Sequence, residues 1–196
     1  MRKWVPLLEL LETARFEQIL LQVYGADLVT TRRAVVVSQW SKFYFMHWWP
    51  AVLEPWLVQG LPVTLDLSLT RLTLDRRGLP DAVSSVGRNP VDVSLSALID
   101  LNLRPFIDGL VMYGDVAAGV IWGNAGDYLE RAAGAMDPRV APAALALMST
   151  TRLPDGRRNP LRAPVTYAPD GRRQTRTCCL AHKVDWIGHC AHCPLV

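Results

Sequence analysis

Cysteine is missing from residues 1–177; all four thiols stand in the closing stretch "TCCLAHKVDWIGHCAHCPLV", residues 177–196. That excludes a disulfide framework spread through the body. Several catalytic signatures are missing too: no G-x-G-x-x-G follows a strand pattern, and there is no P-loop, no H-E-x-x-H and no serine elbow. The usual marks of nicotinamide binding, nucleotide hydrolysis, zinc peptidases and serine hydrolases are therefore lacking. Long uninterrupted apolar runs are scarce. Glu9, Glu12 and Arg15 break up "MRKWVPLLELLETARFEQ", so no export signal is expected. "AVVVSQWSKFYFMHWWPAVL" contains Lys42 and His47, which would be costly inside a bilayer. The expectation is a soluble, cytoplasmic chain without a transmembrane segment, with at most a peripheral place at the inner membrane. Internal repeats and low-complexity linkers are also absent.

What is present suits one domain with an appendage. The 196 residues are 50% hydrophobic, enough for a core, and seven are Trp (4, 40, 48, 49, 56, 122 and 186). Most of these should pack the interior. The net charge of +3 is uneven: eight basic residues from Arg152 to Lys183 face only Asp155 and Asp170, a local +6. Such a run is either a solvated face or an electropositive surround for an anionic centre.

Hydrophobic spacing predicts a helix over 7–24 that stops at Gly25. A second starts at Thr30 or Thr31 and runs to Trp49, with Val36, Trp40, Phe43 and His47 on one face and Pro50 and Pro55 ending or bending it. Alternation of Leu65, Leu67, Leu69, Leu72 and Leu74 predicts a strand ribbon closed by the turn "DRRGLP". Residues 89–114 read as a long helix kinked at Pro105, and 117–134 as another. Asp137 and Pro138 open a short helix reaching Met148. "YAPDGRR" is a hairpin turn that delivers the chain to the cysteines. The fold class is α+β and mainly helical: a helical body over 1–160 with a small antiparallel β ribbon, then a cysteine segment over 161–196.

The cysteine spacing is C-C-x10-C-x2-C: Cys178, Cys179, Cys190 and Cys193. In a reducing compartment such a cluster reads as metal ligands rather than disulfides. A C-x2-C pair brings two thiolates to one ion from a tight turn. Adjacent cysteines in extended chain point to opposite faces, so Cys178 and Cys179 suit one tetrahedral zinc ion poorly. A broader centre with two irons and bridging sulfides accepts them better, which favours iron and sulfur over zinc. His182, His189 and His192 could replace a thiolate, but with four thiols available they read better as hydrogen-bond donors around the centre.

The terminal motif resembles the FhuF-type siderophore-iron reductases, and more than the cysteines carries the resemblance. "TRTCC" (175–179), preceded by "NPLRAPVTYAPDGRRQ" (159–174), "VIWGNAGDYL" (120–129) and "SQWSKFYFMHWWPAVLEP" (38–55) are similar to segments of that family in the same order. The resemblance implies a cytoplasmic ferric-siderophore reductase, an oxidoreductase with a 2Fe-2S cluster on Cys178, Cys179, Cys190 and Cys193. It would pass one electron to a ferric hydroxamate-type siderophore, with no catalytic residue beyond the cluster. Having no nicotinamide fingerprint, the chain would take electrons from an external donor such as a ferredoxin or ferredoxin reductase. Substrate-binding candidates are Trp40, Tyr44, Trp122 and Asn124, each of which has a plainer reading as a core or turn residue. By formal count such a cluster carries about −2, and about −3 when reduced, so Arg172, Arg173 and Arg176 are candidates for raising its potential or docking an acidic donor.

Two other readings stand beside this one. In the first, a non-catalytic zinc-stabilised module uses its arginines on nucleic acid or an acidic protein. The adjacent cysteines and the apolar, Trp-rich body, which lacks a basic stripe, argue against it and against nucleic acid as a partner. In the second, the chain is a simple ferredoxin-like carrier, which leaves most of the preceding residues without work.

Overall fold

The computed structural model describes residues 3–61, 63–85 and 94–196. Its elements are β1 (Val5–Pro6), α1 (Leu7–Leu10), α2 (Thr13–Thr31), α3 (Arg33–Leu53), β2 (Arg71–Leu74), β3 (Pro80–Ser84), α4 (Leu95–Ala97), α5 (Arg104–Gly114), α6 (Ala118–Gly134), α7 (Ala141–Ser149), β4 (Val165–Tyr167) and β5 (Arg173–Thr175). This is the expected α+β, mainly helical class.

Helix α3 is the axis of the body. Tyr44, Phe45, Trp48 and Trp49 are sealed completely, and the stretch from Val35 to Ser41 is buried throughout. The buried surface exceeds the single face expected, and Phe43 and His47 are only half-buried. The reason is that α2, α5, α6 and β3 surround α3. The Tyr44 ring stacks on Phe106 of α5 at 4.0 Å, and the Trp49 indole N–H donates to the Ala125 carbonyl of α6 at 2.7 Å. Pro50 does not end α3; the helix runs through it to Leu53 and widens into a π turn over Glu54–Val58, which carries Pro55.

Other boundaries differ from expectation for local reasons. Gly25 adopts φ +80, open to glycine without strain, and kinks α2 instead of stopping it. The break between α2 and α3 falls at Arg32, while the Thr31 hydroxyl bonds back to the Asp27 carbonyl rather than capping α3. Leu65 and Leu67 are buried and Leu69 exposed, yet Leu67–Leu69 forms a 3-10 turn. Asp66 dictates this by accepting the Ser68 amide at 2.8 Å. The sheet is antiparallel in the order β1-β2-β3, with Leu72 opposite both Val5 and Val83.

The long helix predicted over 89–114 lies partly outside the described residues. From Ser94, whose hydroxyl accepts the Ala97 amide, it runs as α4, a π turn over Leu98–Leu103, and α5. Pro105 is the second residue of α5, directly after the π turn, where the hydrogen-bonding step changes within one continuous helix. Asp137 caps a turn by accepting the Arg139 amide, and regular helix begins at Ala141. The hairpin appears as expected, with Val165 opposite Thr175 and Tyr167 opposite Arg173. Among the described residues, no helix is long and apolar enough to cross a membrane.

Candidate metal centre at the cysteine loop

Helices α3 and α6 form the seat on which the cysteine segment rests. The segment comes so close to α6 that only glycine fits beneath it. A Cβ on Gly123 would lie 2.7 Å from Cβ of Thr177, and one on Gly126 would lie 2.5 Å from Cβ of Pro164. Between these glycines Asn124 turns into the body. Its amide nitrogen is 3.0 Å from the Ser38 carbonyl, the Ser38 hydroxyl and the Ser41 hydroxyl. Ser38 and Gln39 in turn donate to the Cys179 carbonyl at 2.9 and 2.8 Å. The hairpin is pinned by Arg173, which reaches Asp127 at 2.5 Å and Glu130 at 2.7 Å. These ion pairs are largely shielded from solvent, so the guanidinium acts as a fixed strut between β5 and α6.

The four thiols gather in this loop, none in a disulfide. Cys179 Sγ lies 3.8 Å from Cys190 Sγ. Cys178 and Cys193 are linked differently. His182 Nδ1 is 3.3 Å from Cys178 Sγ, His189 Nδ1 is 3.3 Å from Cys193 Sγ, and the two imidazoles stack with centroids 5.5 Å apart. The adjacent cysteines are thus divided between two pairs. The Leu180 amide also donates to Cys178 Sγ at 3.3 Å, from a left-handed conformation at φ +66. Once a metal holds these thiols deprotonated they have no proton to give, and each His Nδ1 then serves as the donor.

Charge differs between the pairs. Burial opposes ionisation of Cys179, but the Lys42 ammonium beside it, together with the Ala181 amide and the Cys190 thiol, brings the thiol's pKa down overall. Burial, then the neighbouring Cys179, pushes Cys190 up to about 11. Burial is also the main cause raising Cys178, with Cys179 and Cys193 adding to it. A metal reverses these penalties, because coordination holds a thiol deprotonated.

Residues 38–175 match the family model described as "Ferric iron reductase FhuF-like transporter", and residues 176–195 match "FhuF 2Fe-2S C-terminal domain". The chain belongs to the FhuF-like ferric iron reductase family. Its role is of the ferric-iron-reductase type and its cofactor is a 2Fe-2S cluster. No individual curated protein matches it.

The residues present fit that cofactor. Thiolates are the donors such clusters take. The 3.8 Å between Cys179 and Cys190 equals the sulfur–sulfur edge, about 3.8 Å, of a thiolate tetrahedron with metal–sulfur bonds of ~2.3 Å. Among the described residues, no three His, Cys, Asp or Glu gather to hold a single ion.

In the FhuF-like body the other substrate-binding candidates take the plainer structural places. Trp40 and Tyr44 have no exposed surface, so they pack the core and meet no ligand as placed; Trp40 donates its indole N–H to the Gly78 carbonyl. Trp122 is nearly buried beneath the Arg104 guanidinium. Asn124 does border a cleft of about 200 Å³ together with Lys42, Tyr128, Arg131, Cys179 and Cys190, but its amide nitrogen is committed to the seat. Of the three arginines, Arg173 is paired inward, whereas Arg172 and Arg176 are exposed and reach only backbone carbonyls. His192 Nδ1 lies 3.2 Å from the Arg173 carbonyl, while His192 lines the cleft beside Cys179 and Cys190.

Lys42, Ser38 and Gln39 are the site residues that sequence reasoning missed. Their signal was present: polar groups interrupt an otherwise apolar, Trp-rich helix, and buried polar groups need partners.

Proposed function

We propose that this FhuF-like chain releases iron from ferric hydroxamate-type siderophores in the cytoplasm, using a 2Fe-2S cluster held by Cys178, Cys179, Cys190 and Cys193. In this reading residues 1–160 form the siderophore-binding body and 161–196 the cluster segment. One observation carries it: the cysteine segment is built into the body through the Cys179 carbonyl, the glycine seat and the Arg173 strut. An electron centre joined so closely to a larger body suits a reductase better than a free carrier.

When bound, the cluster supplies one electron at a time. Ferric iron in the substrate is reduced to ferrous, the donor loses one electron per turnover, and the freed chelating oxygens take up protons from water. Release follows because hard oxygen ligands hold ferrous iron far more weakly than ferric. The chain's own residues do three things. Ser38, Gln39 and Asn124 fix the loop at Cys179. His182 and His189 hold N–H groups against Cys178 and Cys193, favouring the more negative reduced state. Lys42 places a positive charge beside Cys179, with the same effect on potential.

The cleft bordered by Lys42, Asn124, Cys179 and Cys190 is where an acceptor comes nearest to sulfur. Electrons come from a ferredoxin or a ferredoxin reductase. The test is anaerobic: dithionite-reduced protein, freed of excess reductant, is mixed with a ferric trihydroxamate and a ferrous-specific chelator. About one ferrous complex per reduced cluster is expected as the cluster reoxidises; reoxidation without ferrous iron would reject the reading.

A further inference from the structure

The basic segment is less uniform than its sequence suggests. Arg157 is paired with Asp100 and Asp155, and Arg173 with Asp127 and Glu130. Four others converge elsewhere: Arg152, Arg158, Arg162 and Arg176, with Thr151 and Asn159, line one hollow of about 350 Å³. Among the described residues none of these four has a carboxylate partner; Arg152 and Arg176 reach only the Gly156 and Ala163 carbonyls. Four like charges around a concave surface repel one another and focus a positive potential outward.

The hollow is built rather than accidental. Asn159 is buried at its floor, donating to the Leu147 and Thr150 carbonyls and accepting the Leu161 amide. Arg152 and Arg158 form a backbone bridge across the loop. Ala163, beside the hollow, holds a left-handed φ of +44, a strained conformation for a residue with a side chain. Arg176 stands two residues before Cys178, so anything seated here lies against the segment that carries the thiols.

We propose that this arginine hollow is the docking surface for the acidic face of the protein that delivers electrons, an inference that rests on the reductase reading above. All four arginines are exposed and the side-chain polar atoms of Asn159 are committed internally. The hollow therefore offers no desolvated donor to grip a small anion. Exposed charges of one sign act instead on a broad surface of opposite sign, where they steer encounter and orient the partner more than they add affinity. The docked donor loses one electron and the cluster gains it; no bond is made or broken.

The test follows reduction of the oxidised holoprotein by an acidic plant-type ferredoxin in stopped flow across ionic strength. Arg158→Glu/Arg162→Glu should lower the second-order rate at low salt by about tenfold or more and flatten its salt dependence. Arg158→Lys/Arg162→Lys should keep most of the rate. Reduction by dithionite and transfer to the ferric trihydroxamate should not change in either variant. Equal ferredoxin rates in wild type and the glutamate variant would overturn the proposal. So would micromolar binding of inorganic phosphate or citrate that the glutamate variant abolishes, which would make the hollow a small-anion site. Failure of dithionite-reduced wild type to reduce the trihydroxamate would instead strike the reductase reading, so the two failures are distinguishable.

Discussion

In the helical body Trp40, Tyr44, Phe45, Trp48 and Trp49 lie on one helix with no exposed surface. In the loop from Cys178 to Cys193 only Cys179, Ala181, Val184 and Cys193 are buried, and Trp186 is 73% exposed. The body has what a folded core requires: interlocked aromatics and a satisfied backbone within helices. The loop buries too little apolar surface to offset the entropy of its own ordering. Its shape depends on the body, through Ser38, Gln39 and the glycine seat, and in the proposed function also on metal–thiolate bonds, whose free energy is folding free energy where the site does not preexist. The comparison teaches a division of labour, in which burial fixes the scaffold and coordination fixes the working part.

The sharpest way to break this comparison is to remove a ligand. Cys190→Ser should abolish the red-brown colour and the reductase activity together, while the far-UV circular dichroism and the unfolding of the body stay close to wild type. A body that melts with its cluster would contradict the division. The reverse experiment attacks the core: Trp48→Ala should cost about 3–5 kcal/mol in denaturant unfolding, loosening body and cluster alike. A cluster unaffected by that loss would show that the loop does not depend on its seat.

Gly123→Ala separates the two regions more finely. Its methyl group would strike Thr177 just ahead of the cysteine pair. Cluster loss to a chelator should therefore accelerate severalfold, while the body's stability changes by no more than ~1 kcal/mol. The smallest effect is expected from Lys42→Met, which should keep iron content unchanged and lower the midpoint potential measured by redox titration, because a cation beside the reduced centre is removed. A potential that stays the same or rises would remove Lys42 from the account.

Much of the site was legible because its chemistry resides in residue type. Four thiols at C-C-x10-C-x2-C speak for themselves, and the hairpin was announced by Pro169, Asp170 and Gly171. What stayed hidden depends on contacts remote in sequence. Ser38 meets the Cys179 carbonyl across 141 residues, and no local pattern in α3 reports that. "VIWGNAGDYL" was visible as a motif but not as a seat, since the reason for its glycines lies in Thr177 and Pro164. The arginine run likewise looked like one +6 surface until tertiary structure paired Arg157 and Arg173 with acids and left Arg152, Arg158, Arg162 and Arg176 around a hollow. Helix ends were misplaced at Gly25 and Pro50 because both residues permit continuation when packing on either side of them requires it.

Iron, acid-labile sulfide and zinc analysis of anaerobically purified chain, followed by electron paramagnetic resonance after dithionite reduction, tests the central claim most directly. About two irons and two sulfides per chain, with a spin-half signal that Cys190→Ser lacks, is the predicted result. One zinc per chain, no sulfide and no signal after attempted reconstitution would contradict it.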